Sequence, residues 1–151
     1  MKHTLIVAVL GAATLLASGT VLAQAKPELQ VKQRQAAMTL IGKYWGPLGG
    51  MASGKAPYNA EVVARNAGYL DALSKMPWDG FTPATREIKS GALPAIYTDA
   101  AQFKTAQDLA QSEIAKLVAV SKGGDEAAVK SQLAAVGKSC GGCHETFREK
   151  Q

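Results

Sequence analysis

Residues 129–147 read VKSQLAAVGKSCGGCHETF, and at their centre stands Cys140-Gly141-Gly142-Cys143-His144. Val129, Leu133, Val136, Cys140, Cys143, His144 and Phe147 step by three and four, the spacing of one helix face. Both sulfurs and the imidazole therefore fall in line with the aliphatic residues, on the face a helix turns toward a core. Cys-x-x-Cys-His is the attachment pattern of c-type haem. The two thiols take the two vinyl groups as thioethers, and the adjacent histidine is placed to give the iron an axial nitrogen. The chain has two cysteines, both in this motif, and two histidines, of which the other is His3.

Other uses of the motif fit less well. A structural zinc site wants four Cys or His ligands, and one turn here supplies three. Thiol–disulfide oxidoreductases carry Cys-x-x-Cys in a strand–helix context, and nothing in this sequence alternates as a strand does. A structural disulfide needs no histidine beside it. The expected cofactor is one haem c, covalent through Cys140 and Cys143, with His144 as axial ligand.

The N-terminus supports that chemistry. Met1-Lys2-His3 leads into an apolar run from Thr4 to Leu16, then Ala17-Ser18-Gly19 and Val21-Leu22-Ala23. A basic start, an apolar middle and a small-residue cleavage site make a secretory signal. The run is short for a membrane span of ~20 residues, and Lys26-Pro27 begins polar sequence at once. Residues 1–23 are thus read as a signal peptide, with Ala23-Gln24-Ala25 as a second cleavage site, and residues 24–151 as one exported domain in the periplasm. No other segment is apolar enough to cross a bilayer. Lys2 leaves with the signal, so 16 of the 17 basic residues remain against 12 acidic ones. That mild positive charge is spread along the chain without the clustered patch that nucleic-acid binding requires. It suits steering toward an acidic protein partner.

The rest of the chain reads as three further helices and no sheet. Pro27 belongs in a first helical turn, and Val31, Met38, Ile41, Trp45 and Leu48 follow at helical spacing, with Arg34 on the same face. Pro47 is expected to kink or end that helix, a bent continuation toward Ser53-Gly54 being the alternative. Asn59 is an N-cap for a helix burying Val62 or Val63, Ala67, Leu70 and Leu73, which stops before Pro77. Residues 77–97 hold Pro77, Trp78, Gly80, Pro83, Gly91 and Pro94, carry no clear period and form a long connection. Thr98-Asp99 caps the next helix, striped by Phe103, Ala106, Ala110, Ile114, Leu117 and Val118. Lys122-Gly123-Gly124 ends it, and Asp125 caps the last. The expected fold is all-α: an antiparallel four-helix bundle with covalently bound haem in its core.

An exported chain of this length, with four helices and Cys-x-x-Cys-His near the C-terminal end, resembles the cytochrome c′ family, whose low-spin relative cytochrome c-556 shares the fold. Lys26-Pro27-Glu28, Arg34 with Met38, Lys55-Ala56-Pro57-Tyr58, Pro77-Trp78, and His144 followed by Arg148 stand in the family's order and span the mature chain. The resemblance implies that Arg148 stands near the proximal imidazole, that Arg34 approaches a haem propionate, and that Met38 covers the distal face of the iron. Gly141-Gly142 departs from what a helix interior favours, since each glycine costs about 1 kcal/mol against alanine.

Met38 divides the expected functions. In the c′ branch the distal residue does not bind, and the five-coordinate iron takes nitric oxide or carbon monoxide. In the c-556 branch a methionine is the sixth ligand and the protein carries electrons to redox partners. Methionine is also a common adaptable core residue, and Met51 and Met76 are poorer ligands, being expected near helix ends and off the Arg34 face. The Arg34-x-x-x-Met38 context and Pro77-Trp78 look more like c′. A peroxidase would want a distal acid–base group, usually histidine, so no enzyme is expected. The resemblance also implies a homodimer through the first two helices, with Leu40 and Tyr44 as outward apolar candidates.

Overall fold

Pro27 opens the first helix at the position where a missing backbone N–H costs nothing. The computed structural model describes residues 26–150; the signal expected at 1–23 lies outside them. Four long helices, α1 (Pro27–Ala52), α2 (Ala60–Leu73), α4 (Ala100–Val120) and α5 (Glu126–Phe147), are joined by a connection that carries one short helix, α3 (Ala95–Thr98). α1 packs against α2 and α5, and α4 packs against the same two, which closes a bundle. Among the described residues there is no strand; Ala92 and Arg148 form a single antiparallel bridge.

The caps follow the sequence. Asn59 Oδ1 accepts from Val62 N at 3.0 Å, and Asp99 Oδ1 from Gln102 N at 3.3 Å. Asp125 Oδ1 accepts from Ala127 N at 2.9 Å and Ala128 N at 3.2 Å. Such side chains satisfy helix N–H groups that have no partner within the helix.

Two expectations need correction. Pro47 does not end α1, which continues to Ala52. An interior proline costs a helix about 3 kcal/mol, but stopping there would strip Leu48 and Met51 from the core, where both are buried. Burial of two large apolar side chains stabilises by about 1.5–3 kcal/mol each, enough to carry the helix past a proline that itself faces solvent. Met51, next to last in α1, is near a helix end as expected and is buried in the core. The connection is also more ordered than its lack of period suggests. It contains 3₁₀ turns at Trp78–Gly80 and Pro83–Thr85 besides α3, and it buries Pro77, Gly80, Thr85 and Ile96.

The apolar core fills one end of the bundle. Leu48 and Met51 of α1 meet Val63, Ala67 and Leu70 of α2, Ile114 and Leu117 of α4, and Val129, Leu133 and Val136 of α5. The C-terminal half of α1 thus lies beside the N-terminal half of α5, so the two run antiparallel. The other end, built from the first half of α1, the connection and the last turns of α5, holds a cavity.

Candidate haem-binding site

Cys140, Cys143 and His144 all line a cavity of about 580 Å³. That is within the ~300–1,000 Å³ range of small-molecule sites. The helical step of three and four carries the three side chains from the aliphatic core into this space. Leu133 and Val136 are fully buried below it, and Cys140 packs against their cluster. Phe147, one turn beyond His144, is buried at the far end.

The connection forms the opposite walls. Trp78, Phe81 and Phe103 line the cavity, and Phe103 bridges Phe81 and Phe147, with ring centroids 5.1 and 5.2 Å apart and near edge-to-face geometry. Leu93 N donates to Phe147 O at 3.0 Å and Glu149 N to Gly91 O at 2.9 Å, which fastens the connection to the end of α5. The aromatic wall is the part of the site the sequence reading missed. Its one signal was the presence of Trp78 and Phe81 in a segment otherwise rich in proline and glycine.

Arg34 is 4% exposed and surrounded by acceptors from the connection. Nη1 donates to Gly80 O at 2.6 Å, Thr85 Oγ1 at 3.0 Å and Tyr97 Oη at 3.4 Å, while Nη2 donates to Ser90 Oγ at 3.0 Å. Its guanidinium carbon lies 4.3 Å from the Phe81 ring centroid. The planar fork of arginine suits several acceptors at once. Gly80 is needed for this approach: a Cβ there would stand 3.0 Å from both Arg34 Cβ and Gln30 O. Arg34 still lines the cavity, as does Ser90. It clamps the connection to α1 as well as facing the site, a role the sequence did not suggest.

Met38 lines the cavity one turn after Arg34 and is half-buried. Arg148 also lines it, and its backbone N donates to His144 O at 3.1 Å. Met51 lies in the apolar core and Met76 is exposed, so neither reaches the site.

The electrostatics favour a neutral, ligating site. Burial lowers the pKa of His144, and the positive charge of Arg148 lowers it further. A neutral imidazole keeps the lone pair that a metal needs. Burial raises the Cys140 thiol, and burial followed by the proximity of Cys140 raises Cys143. Reactive redox cysteines have depressed values instead, so this pair is not a thiolate centre. Among the described residues no group of three or more His, Cys, Asp or Glu side chains is arranged to hold a metal ion by itself. Two protonated thiols, one neutral imidazole, a wall of aromatic and aliphatic side chains and a cavity of this size fit a porphyrin that brings its own iron.

Comparison with known proteins agrees. The sequence profile of the family Cytochrome C′ matches residues 29–148. Cytochrome c′ of Rubrivivax gelatinosus is 41% identical over 126 residues, covering 83% of this chain and 98% of that protein. Its crystal structure superposes with a TM-score of 0.77 over 82% of this chain and 98% of that one. A nitric oxide complex of a variant of cytochrome c prime from Alcaligenes xylosoxidans is 39% identical, with a TM-score of 0.76 over 84% of this chain and 98% of that one. Cytochrome c-556 of Agrobacterium tumefaciens (strain II Chrys) is 32% identical over 122 residues, covering 81% of this chain and 98% of that protein. With its four-helix fold, its thiol pair and its histidine in one apolar cavity, the chain belongs to the cytochrome c′ family and binds haem c.

Proposed function

We propose that this protein is an exported, periplasmic gas-binding haem protein, with His144 on one side of the iron and an open coordination position on the other. The observation that carries the reading is the placement of Met38: on the cavity face of α1, half-buried, one turn after Arg34. When bound, the haem supplies an iron that takes nitric oxide or carbon monoxide and passes single electrons. His144 would give its neutral nitrogen to the iron, Cys140 and Cys143 would hold the group through thioethers, and Met38 would fill cavity space so that diatomic molecules enter more readily than larger ones. The nitric oxide complexes of the Alcaligenes xylosoxidans relative support this assignment. The export-type N-terminus supports the compartment.

Arg34 and Arg148 hold charge rather than a proton in this scheme. Among the described residues no carboxylate forms an ion pair with the buried Arg34 guanidinium, whose acceptors Gly80 O, Thr85 Oγ1, Tyr97 Oη and Ser90 Oγ are all neutral. A buried charge wants a counter-charge, and a haem propionate at the cavity edge would supply it. Arg148 lines the cavity with His144, and its charge adds to the larger effect of burial in lowering the imidazole pKa.

The test is Met38→Ala. Emptying the distal side should speed carbon monoxide association with the ferrous protein by roughly tenfold, a barrier change of ~1.4 kcal/mol, and leave the ligand-free spectrum unchanged. A low-spin wild-type spectrum that turns high-spin in Met38→Ala would establish the second reading, an electron carrier with Met38 as sixth ligand. The cytochrome c-556 relative favours that second reading.

The protein is also proposed to be a homodimer through α1 and α2. Leu29 and Leu40 are 47% and 43% exposed on one outward stripe of α1, and Tyr69 of α2, 46% exposed, packs against Tyr44 with ring planes tilted by 48° and centroids 4.7 Å apart. Two such helix faces can reach the ~800 Å² per partner of a standard interface. Light scattering should give a dimer mass at tens of micromolar, and Leu40→Asp should shift it to monomer. A monomeric wild type would refute the assembly.

A further inference from the structure

We propose that the exposed side of the haem cavity is a docking surface for an acidic protein that donates single electrons. The proposal rests on the haem-binding reading and holds whether or not Met38 ligates the iron. Five lining residues are exposed: Gln35, Thr39 and Gly42 on α1, Gly91 in the connection and Arg148 at the end of α5. They mark the side on which the bound group would lie about one side chain from solvent, and where an electron would have a short path to it. The residues that α4 gives to the cavity, Phe103, Ala110 and Ile114, are buried or half-buried.

Charge divides along the same boundary. The three segments that carry the exposed lining residues, 26–45, 77–97 and 138–150, hold nine basic and five acidic side chains. The rest of the described chain, 46–76 and 98–137, holds seven of each. The positive excess of the described residues thus belongs wholly to the segments around the exposed side of the cavity. All four ion pairs among the described residues, at Lys75, Lys104, Lys116 and Lys130, fall in the neutral part. Of the nine basic side chains only Arg34 is buried; the other eight are exposed. Lys32 precedes Gln35 by three residues and Lys43 follows Thr39 by four, so the two extend the exposed stripe of α1 at both ends. Lys89 adjoins the lining residue Ser90, and Arg148 lines the cavity itself. Glu28, Glu145 and Glu149 stand near the same cations in the chain and reduce the excess without cancelling it. Exposed charge of one sign around a cavity steers a partner of the opposite sign and sets its orientation. Lys32 and Lys43 alone are about 16 Å apart along the helix, the scale of a protein face rather than of a small anion.

The experiment is anaerobic stopped-flow reduction of the ferric holoprotein by reduced plant-type ferredoxin, an acidic iron–sulfur protein of low potential. One electron leaves the iron–sulfur cluster and one ferric haem becomes ferrous. The bimolecular rate should fall roughly tenfold as ionic strength rises from ~0.01 to ~0.3 M, because the Debye length shrinks from ~30 Å to below ~8 Å. At low salt Lys32→Glu/Lys43→Glu should slow the reaction by a similar factor, and Lys89→Glu should slow it by less. Lys55→Glu/Lys122→Glu makes the same change of net charge on the neutral part and should stay within about twofold of wild type. Photoreduced riboflavin, an uncharged donor, should reduce all these proteins at one rate. Carbodiimide cross-linking to ferredoxin, read by peptide mass spectrometry, should join Lys32, Lys43 or Lys89 and leave Lys55 and Lys122 unlinked. A ferredoxin rate independent of salt, an equal loss in both double variants, or cross-links at Lys55 or Lys122 would overturn the surface and leave the haem reading standing. A protein that riboflavin also fails to reduce would refute electron passage itself, and the docking surface with it.

Discussion

His144→Ala is expected to abolish the native iron coordination while leaving the haem bound through its thioethers. His144 is the one histidine among the described residues, since His3 falls in the segment expected to be removed. No other side chain lining the cavity on the α5 side offers a neutral nitrogen, and Arg148 cannot lose its proton. The substitution leaves a gap the size of an imidazole beside the aromatic wall. Added imidazole should therefore restore a spectrum close to wild type, a rescue that general destabilisation would not show. A variant with the wild-type spectrum and no added ligand would mean that another group holds the iron.

Arg34→Leu is expected to cost about 2–3 kcal/mol of stability, since it removes hydrogen bonds from a charged donor, which contribute about 1.5–3 kcal/mol each, while every acceptor keeps a second partner. Thr85, with no exposed surface, loses its Nη1 donor, and Ser90 and Tyr97 lose theirs. Gly80 O keeps the bond from Thr85 Oγ1 at 3.1 Å, which is why the loss is not larger. For a domain of this size the thermal midpoint should fall by roughly 10 °C. Arg34→Lys should fall in between, because an ammonium keeps the charge but not the fork. A leucine variant as stable as wild type would show that the connection is held by its own turns and rings alone.

The parts of this protein that the sequence made legible are those whose cause is local. Cys140, Cys143 and His144 share a helix face because of their spacing, and their chemistry is carried within five residues. Asn59, Asp99 and Asp125 cap their helices through bonds to backbone two or three residues on. The continuation of α1 through Pro47 was legible only as the alternative to a helix end there, because its cause is burial of Leu48 and Met51 against three other helices. The order of the connection was hidden for the same reason. Arg34 finds its acceptors 46 to 63 positions away in the chain, and no period announces such a pairing.

The proximal set of Cys140, Cys143 and His144 is common ground for both functional readings; Met38 separates them. A thioether on the iron gives a closed site and an electron carrier, whereas a thioether packed beside it gives an open one. The most direct measurement is the visible spectrum of the purified wild-type protein, ferric and ferrous, with and without carbon monoxide. The account expects a high-spin, five-coordinate spectrum in both oxidation states, and carbon monoxide uptake at a rate proportional to its concentration. A low-spin spectrum with a methionine–iron charge-transfer band, and uptake limited by a concentration-independent step, would contradict it.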